Sequence, residues 1–236
     1  MNIERAMTPR LLAIAGCVKP GAAIADIGTD HAYIPIYLVL NGIAKRAVAM
    51  DLRTGPLERA KQNICSYRVE NTVKTRLSDG LSELKEGEVD TVIIAGMGGI
   101  LINEILDARR DLWKSVDTFI LQPMTAVEET RRYLEQNGFM IQHELLAKED
   151  HKLYSILTIK KGYMKIEKEV YYVIGKRLME EHSPYVQELI CSKMCEFEKV
   201  LNGLANSENP SLDQKRREIK RLLEQLDELK GACAAW

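Results

Sequence analysis

The residues best suited to chemistry are four aspartates, each close to the end of an apolar run: Asp26 in Ala22-Ala-Ile-Ala-Asp26, Asp30 just beyond it, Asp51 in Ala47-Val-Ala-Met-Asp51, and Asp79 in Leu77-Ser-Asp79-Gly80. An ionised carboxylate only accepts hydrogen bonds, so such a set reads donors: amino groups, ribose hydroxyls or a cationic centre. Asp51, followed by Leu52, stands where a doubly wound sheet sets an acid on ribose hydroxyls. A carboxylate at the height of Asp79 and Gly80 faces the exocyclic amine of an adenine. Each acid alone is equally an ordinary strand-end residue or helix cap, and Asp-Gly is a common turn. Together at one end of a sheet they suggest a nucleoside pocket.

Two glycine turns sharpen this. Gly28 lets the backbone approach a ligand where a Cβ would collide, and Ala95-Gly96-Met97-Gly98-Gly99 exposes backbone amides and carbonyls beside it. Neither is a dinucleotide fingerprint. Asp30 stands where the second glycine of G-x-G-x-x-G belongs in the first turn, and Leu101 takes the place of the third glycine in the later stretch. A diphosphate seeks a helix N-terminus free of acids, so these carboxylates oppose a nicotinamide dinucleotide. They suit a nucleoside that carries positive charge and no phosphate, such as a sulfonium.

Holding these groups together requires alternating strands and helices. From Pro20 onward, short β-type runs alternate with amphipathic stretches, as in the βα units of a parallel sheet. Strands are predicted over residues 22–27, 46–51, 72–77, 89–95 and 118–121, with 139–148 and 154–160 as a closing antiparallel hairpin. Helices are predicted over 31–41, 56–68, 100–109 and 125–137, the last closed by Gly138. The apolar run 11–18 follows Arg5 and Arg10 as a signal-peptide core would, but it also fits one face of a helix. With no long apolar run anywhere, a packed N-terminal helix, no membrane span and a cytoplasmic protein are expected.

After Gly162 no β-type run remains. Ile190, Met194, Phe197, Leu201 and Leu204 recur at alternating steps of four and three, as do Ile219, Leu222, Leu226 and Leu229. That spacing predicts two helices folded into an antiparallel coiled coil. Residues 206–210 separate them, and Ser211 with Gln214 reads as a capping box. The expected organisation is an α/β domain over 1–161 and a helical domain over 162–236. Lys215-Arg216-Arg217 suits a phosphate backbone, although a solvated helix face and a purely stabilising hairpin are the plainer readings.

Of the 236 residues 46% are hydrophobic and 28% charged, with a net charge of −1. This fits a folded globular protein with no overall electrostatic pull towards nucleic acid. The five cysteines are scattered, and Cys191 and Cys195, one helical turn apart, have no histidine in that turn. Reduced thiols and no metal site are expected, as is a monomer or weak dimer.

In Ala25-Asp-Ile-Gly-Thr-Asp-His-Ala-Tyr33 with Pro35, in Ile94-Ala-Gly-Met-Gly-Gly99, in Leu121-Gln-Pro-Met124 and in the C-terminal hairpin, the sequence resembles the bacterial tRNA (adenine-N1)-methyltransferases that modify adenine 22. The resemblance covers nearly the whole chain. It implies a Rossmann-like class I methyltransferase fold using S-adenosyl-L-methionine, with a mostly parallel seven-stranded sheet and a C-terminal coiled coil that helps to grip tRNA.

Methyl transfer to a ring nitrogen that is already unprotonated needs alignment and a dry pocket more than a strong base. Asp30 is then the candidate to orient the target base through its exocyclic amine. His31 is the candidate donor or phosphate contact, with a helix-capping role as the alternative. Tyr33 is placed either to stack on an extruded base or to fill the core. Arg10, Gly99, Gln122, Pro123, Lys215, Arg216 and Arg217 are assigned to the substrate, and Asp26, Gly28, Asp51, Leu52, Asp79, Gly80, Gly96, Met97 and Gly98 to the cofactor. Enzymes that methylate the exocyclic amine resemble one another in an Asn/Asp-Pro-Pro-aromatic motif after the fourth strand, where this chain has Gly96-Met-Gly-Gly99. The remaining alternatives are a different RNA or a small molecule as methyl acceptor, and a non-catalytic nucleoside-binding module whose coiled coil recruits a partner.

Overall fold

The computed structural model describes residues 2–205 and 212–234. The chain divides into two compact units, Met1–Met164 and Lys165–Trp236.

In the first unit, seven strands form one sheet: β1 (Ala22–Ile27), β2 (Ala44–Asp51), β3 (Val73–Leu77), β4 (Thr91–Gly98), β5 (Thr118–Thr125), β6 (Phe139–Glu149) and β7 (Lys152–Lys161). Their order is β3-β2-β1-β4-β5-β7-β6. The first five pair in parallel, and β7 runs antiparallel to both β5 and β6. Every residue of β1 is buried, as befits a central parallel strand covered on both faces. Its side chains alternate between two core layers. Ala23, Ala25 and Ile27 face the layer filled by Ile102 and Leu106 of α4 (Gly99–Ala108) and Leu134 of α5 (Val127–Gln136). Ala22 and Ile24 face Ile14 of α1 (Pro9–Gly16), Ile36 and Leu38 of α2 (Tyr33–Leu40), and Ala60 and Ile64 of α3 (Thr54–Ser66).

Several boundaries differ from expectation, and the largest differences are extensions at the carboxyl ends of β4 and β5. The fourth strand continues to Gly98 and the fifth to Thr125, past the predicted ends at 95 and 121. Past a bulge at Gly96, Met97 pairs with Pro123 and Gly98 with Thr125, so the ladder carries the glycine-rich end of β4 forward beside β5. The helix after β1 starts at Tyr33, not at 31. Asp30 and Ala32 hold left-handed φ values of 44° and 57°, which no α-helical turn can contain. Gly138 follows α5 at its predicted place.

The second unit contains two five-residue helices, α6 (Val170–Ile174) and α7 (Lys176–Glu180), and two long ones, α8 (Val186–Ala205) and α9 (Leu212–Cys233). Ile190, Ile219, Leu226 and Leu229 of the predicted seams are buried. Arg216, near the start of α9, donates to the Leu204 carbonyl near the end of α8, as an antiparallel pair requires. Residues 206–210 and Ser211, predicted as the separator and the cap, lie outside the described residues. Among the described residues no helix is long and apolar enough to cross a membrane, and no group of three or more His, Cys, Asp or Glu side chains could hold a metal ion.

Candidate active site

Because β1 lies between β2 and β4, the chain winds outward in opposite directions on either side of it. A crevice therefore opens beyond the carboxyl ends of β1 and β4, where doubly wound sheets bind ligands. The turn after β1 is tied to β2, as the amides of Gly28 and Thr29 both donate to the Met50 carbonyl, at 2.8 and 2.9 Å. Asp26 is buried and accepts the Thr29 hydroxyl at 2.6 Å. Asp51 is buried too and accepts the Arg53 amide at 2.9 Å. Burial raises the Asp26 carboxyl to about 6, against the lowering effect of Thr29, and the charge of Asp51 adds to the rise.

Leu52 stands exposed beside this acid pair. Asp79 is exposed and Gly80 half-buried on the turn after β3. Two residues not singled out from the sequence hold that turn. The buried Ser78 hydroxyl donates to the Gly80 carbonyl and accepts the Glu83 amide, and the Arg109 guanidinium donates to the carbonyls of Leu81 and Ser82. The two glycine motifs touch each other. Gly28 has a φ of +74°, and a Cβ there would overlap the terminal methyl of Met97.

A carboxyl raised in the folded state, like that of Asp26, binds its proton more tightly there than in the unfolded chain, so its contribution falls as pH rises from about 4 to 6 and stays unfavourable above that, by about 3 kcal/mol. Asp26→Asn is therefore expected to raise the Tm of the ligand-free protein at pH 8 and leave it nearly unchanged at pH 4. Thermal unfolding across that range checks this, and a lower Tm at pH 8 would contradict it.

The other wall holds Asp30, His31 and Tyr33. Asp30 is exposed and its Oδ1 accepts Arg59 Nη2 of α3 at 2.6 Å. His31 Nε2 lies 3.5 Å from the other Asp30 oxygen, and its ring stacks on Tyr33 at 5.1 Å and 8°. The helix-capping alternative for His31 is not met, since the residue before α2 is Ala32, with no side-chain cap. Arg59 belongs among the residues the sequence reading missed. So does Asn63, whose amide donates to the His31 carbonyl at 2.9 Å.

Arg10 reaches the same mouth from α1. Its guanidinium donates to Gln122 Oε1 at 2.7 Å and lies over the Tyr154 ring at 5.5 Å. Gly96, at φ +76°, brings its backbone close enough that a Cβ would lie 3.7 Å from Arg10 Nη1. Gln122 is fully buried, with its other amide end on the Pro123 carbonyl, and Pro123 is buried beside it. At Gly99 a Cβ would collide with Ala126 O and Thr130 Oγ1, so the lack of a side chain there lets α4 pack on the start of α5. Lys215, Arg216 and Arg217 lie in the other unit. Lys215 and Arg217 are exposed, whereas Arg216 is half-buried and pairs with Asp213 and the Leu204 carbonyl.

The sheet order, the crevice and its acids define a methyltransferase domain, and the family model of that description matches residues 7–157. The tRNA (adenine(22)-N(1))-methyltransferase of Bacillus subtilis is 30% identical over 232 residues, covering 96% of this chain and 97% of its own. The chain belongs to that methyltransferase family. Among solved structures, a Streptococcus pneumoniae protein in complex with S-adenosyl-L-methionine matches with a TM-score of 0.84 and 30% identity, over 95% of this chain and 99% of its own. The M. capricolum protein TrmK in complex with S-adenosyl-homocysteine matches at 0.77 with 27% identity, over 95% and 97%.

Proposed function

We propose that the protein transfers the methyl group of S-adenosyl-L-methionine to N1 of adenine 22 in tRNA, in the cytoplasm, giving 1-methyladenosine. The observation that carries this reading is the pairing of two walls: a buried acid pair, Asp26 and Asp51, behind an exposed Asp30-His31-Tyr33 turn, in a chain similar over nearly its whole length to a tRNA (adenine(22)-N(1))-methyltransferase. Two carboxylates at the switch point suit a positively charged nucleoside, whose charge favours the ionised form of Asp26 that burial, and to a smaller degree Asp51, disfavours. When bound, S-adenosyl-L-methionine supplies an electrophilic methyl group on a sulfonium.

The residues of this chain divide the remaining work. Asp26 and Asp51 would hold amino and ribose groups, Leu52 would cover the adenine, and Asp79 with Gly80 would read its edge. The backbones of Gly28, Gly96, Met97 and Gly98 give the close approach that a nucleoside in this crevice needs. On the substrate side, Asp30 accepts from the exocyclic amine of the target adenine and so presents N1, whose lone pair needs no base. Tyr33, backed by the His31 ring, offers a stacking face, and His31 a donor. Arg10 is the group exposed to substrate, with Gln122 and Pro123 supporting it from behind. Gly96-Met-Gly-Gly99 in place of an Asn/Asp-Pro-Pro-aromatic motif favours the ring nitrogen over the exocyclic amine.

Nucleoside mass spectrometry of tRNA incubated with enzyme and methyl-labelled cofactor tests the reading. Labelled 1-methyladenosine at position 22 is expected; methyl transfer to small molecules but never to tRNA would refute it. For Lys215, Arg217 and the hairpin that carries them, we expect that removing residues 165–236 leaves cofactor binding intact and weakens tRNA binding by about tenfold or more at low salt. Calorimetry with cofactor and filter binding with tRNA separate the two, and equal tRNA affinity in both forms would reduce the hairpin to a stabilising role.

A further inference from the structure

We infer that Arg59, together with Asn63, forms a clamp on α3 that sets the orientation of the Asp30 carboxylate, so that Arg59 is a positioning residue for methyl transfer. The inference rests on the proposed contact between Asp30 and the target adenine. Three residues of the turn after β1 are left-handed, Gly28 at 74°, Asp30 at 44° and Ala32 at 57°. Two of them carry a Cβ, and such backbone costs on the order of 1 kcal/mol each and persists only where neighbours over-determine it. The start of the turn is fixed from β2 through Met50. Its far half is fixed from α3. Arg59 and Asn63 are four residues apart and therefore share one helix face; the first holds the Asp30 side chain at 2.6 Å and the second the His31 carbonyl at 2.9 Å.

The division of labour on the carboxylate follows from the atoms. Arg59 occupies Oδ1, and His31 Nε2 stands 3.5 Å from Oδ2. With one oxygen tethered, rotation about the Cβ–Cγ bond is restricted and the second oxygen keeps a constant aim. Arg59 acts through Asp30 and touches no reacting atom. Its side chain is half exposed, so the ion pair contributes little to folding and the effect of losing it falls on alignment.

The test is a double-mutant cycle of Arg59→Ala and Asp30→Asn in the full-length protein, read as kcat and KM on tRNA, with cofactor affinity and Tm measured alongside. Arg59→Ala is expected to lower kcat about 10–100-fold, the scale of a misplaced aligning group, with cofactor affinity and Tm nearly unchanged and Arg59→Lys recovering part of the loss. In the double variant, kcat is expected to equal that of Asp30→Asn alone, because Arg59 has nothing left to orient. Losses that multiply, or a loss confined to the KM for tRNA and relieved by Lys, would show that Arg59 grips RNA phosphate, overturning the inference while the proposed function stands. If Asp30→Asn leaves kcat unchanged, the assignment of Asp30 fails and the inference with it.

Discussion

Asp30→Asn is expected to lower kcat for tRNA methylation by about 10²–10³-fold, the scale of removing one preorganised polar contact to the reacting group. S-adenosyl-L-methionine affinity is expected to stay within about twofold, since Asp30 is assigned to the target base and not to the cofactor. The basis is the separation of the acids into two sets. Asp26 and Asp51 are buried at the strand ends, whereas Asp30 stands exposed at the mouth on a left-handed residue. Asparagine keeps the size of the side chain and one acceptor oxygen but removes the charge that pairs with Arg59. Single-turnover kinetics with saturating cofactor isolates the chemical step. Turnover equal to wild type would remove Asp30 from the mechanism.

The second large effect concerns folding. Gly99→Ala is expected to destabilise the protein by about 3 kcal/mol, at the upper end for overpacking, which corresponds to a fall in Tm of roughly 6–12 °C for a chain of this size. The added methyl would collide with Ala126 O and Thr130 Oγ1 and lie 2.8 Å from Thr125 O. Two of those three atoms are backbone, so α4 and α5 would have to part. Gly203 in α8 provides the contrast, as nothing lies within 4 Å of a Cβ there. Gly203→Ala is expected to raise stability by about 0.5–1 kcal/mol through helix propensity alone. Calorimetric scans of both variants distinguish a packing glycine from a permissive one, and a Tm for Gly99→Ala close to wild type would show that the junction yields.

The strands and their order of appearance were legible because buried parallel strands carry short apolar runs that reach a polar residue near the carboxyl end, as residues 22–26 and 47–51 do at Asp26 and Asp51. The helical seams were legible from their three-four spacing. What escaped was whatever depends on residues far apart in the chain. Nothing local shows that β4 continues through Gly98, because the ladder that extends it is supplied by β5. Nothing local marks Arg59, whose role arises only when α3 packs beside a turn 29 residues earlier. A face of α3 carrying Arg59 and Asn63 one turn apart was the available signal, and on an amphipathic helix it looks like any solvated face. The packing constraint on Gly99 escaped as well, since its neighbours Ala126 and Thr130 come from a different helix-strand unit and could not be read from the glycine motif itself.

The contacts of Arg10 set an order of events during synthesis. Its guanidinium waits for Gln122, 112 residues later, and its amide for Glu149, 139 residues later. At roughly 5–20 residues per second on the ribosome, the helix that carries it emerges on the order of ten seconds before its partners. Through that interval β1, β2 and β3 have been made, with the turn that bears Asp26, Gly28 and Asp30, but the Arg10 side of the mouth is missing. The residues of the acid pocket are thus synthesised well before those that hold Arg10, and the Arg10 side of the mouth is completed only by the fifth strand and the closing hairpin of the sheet.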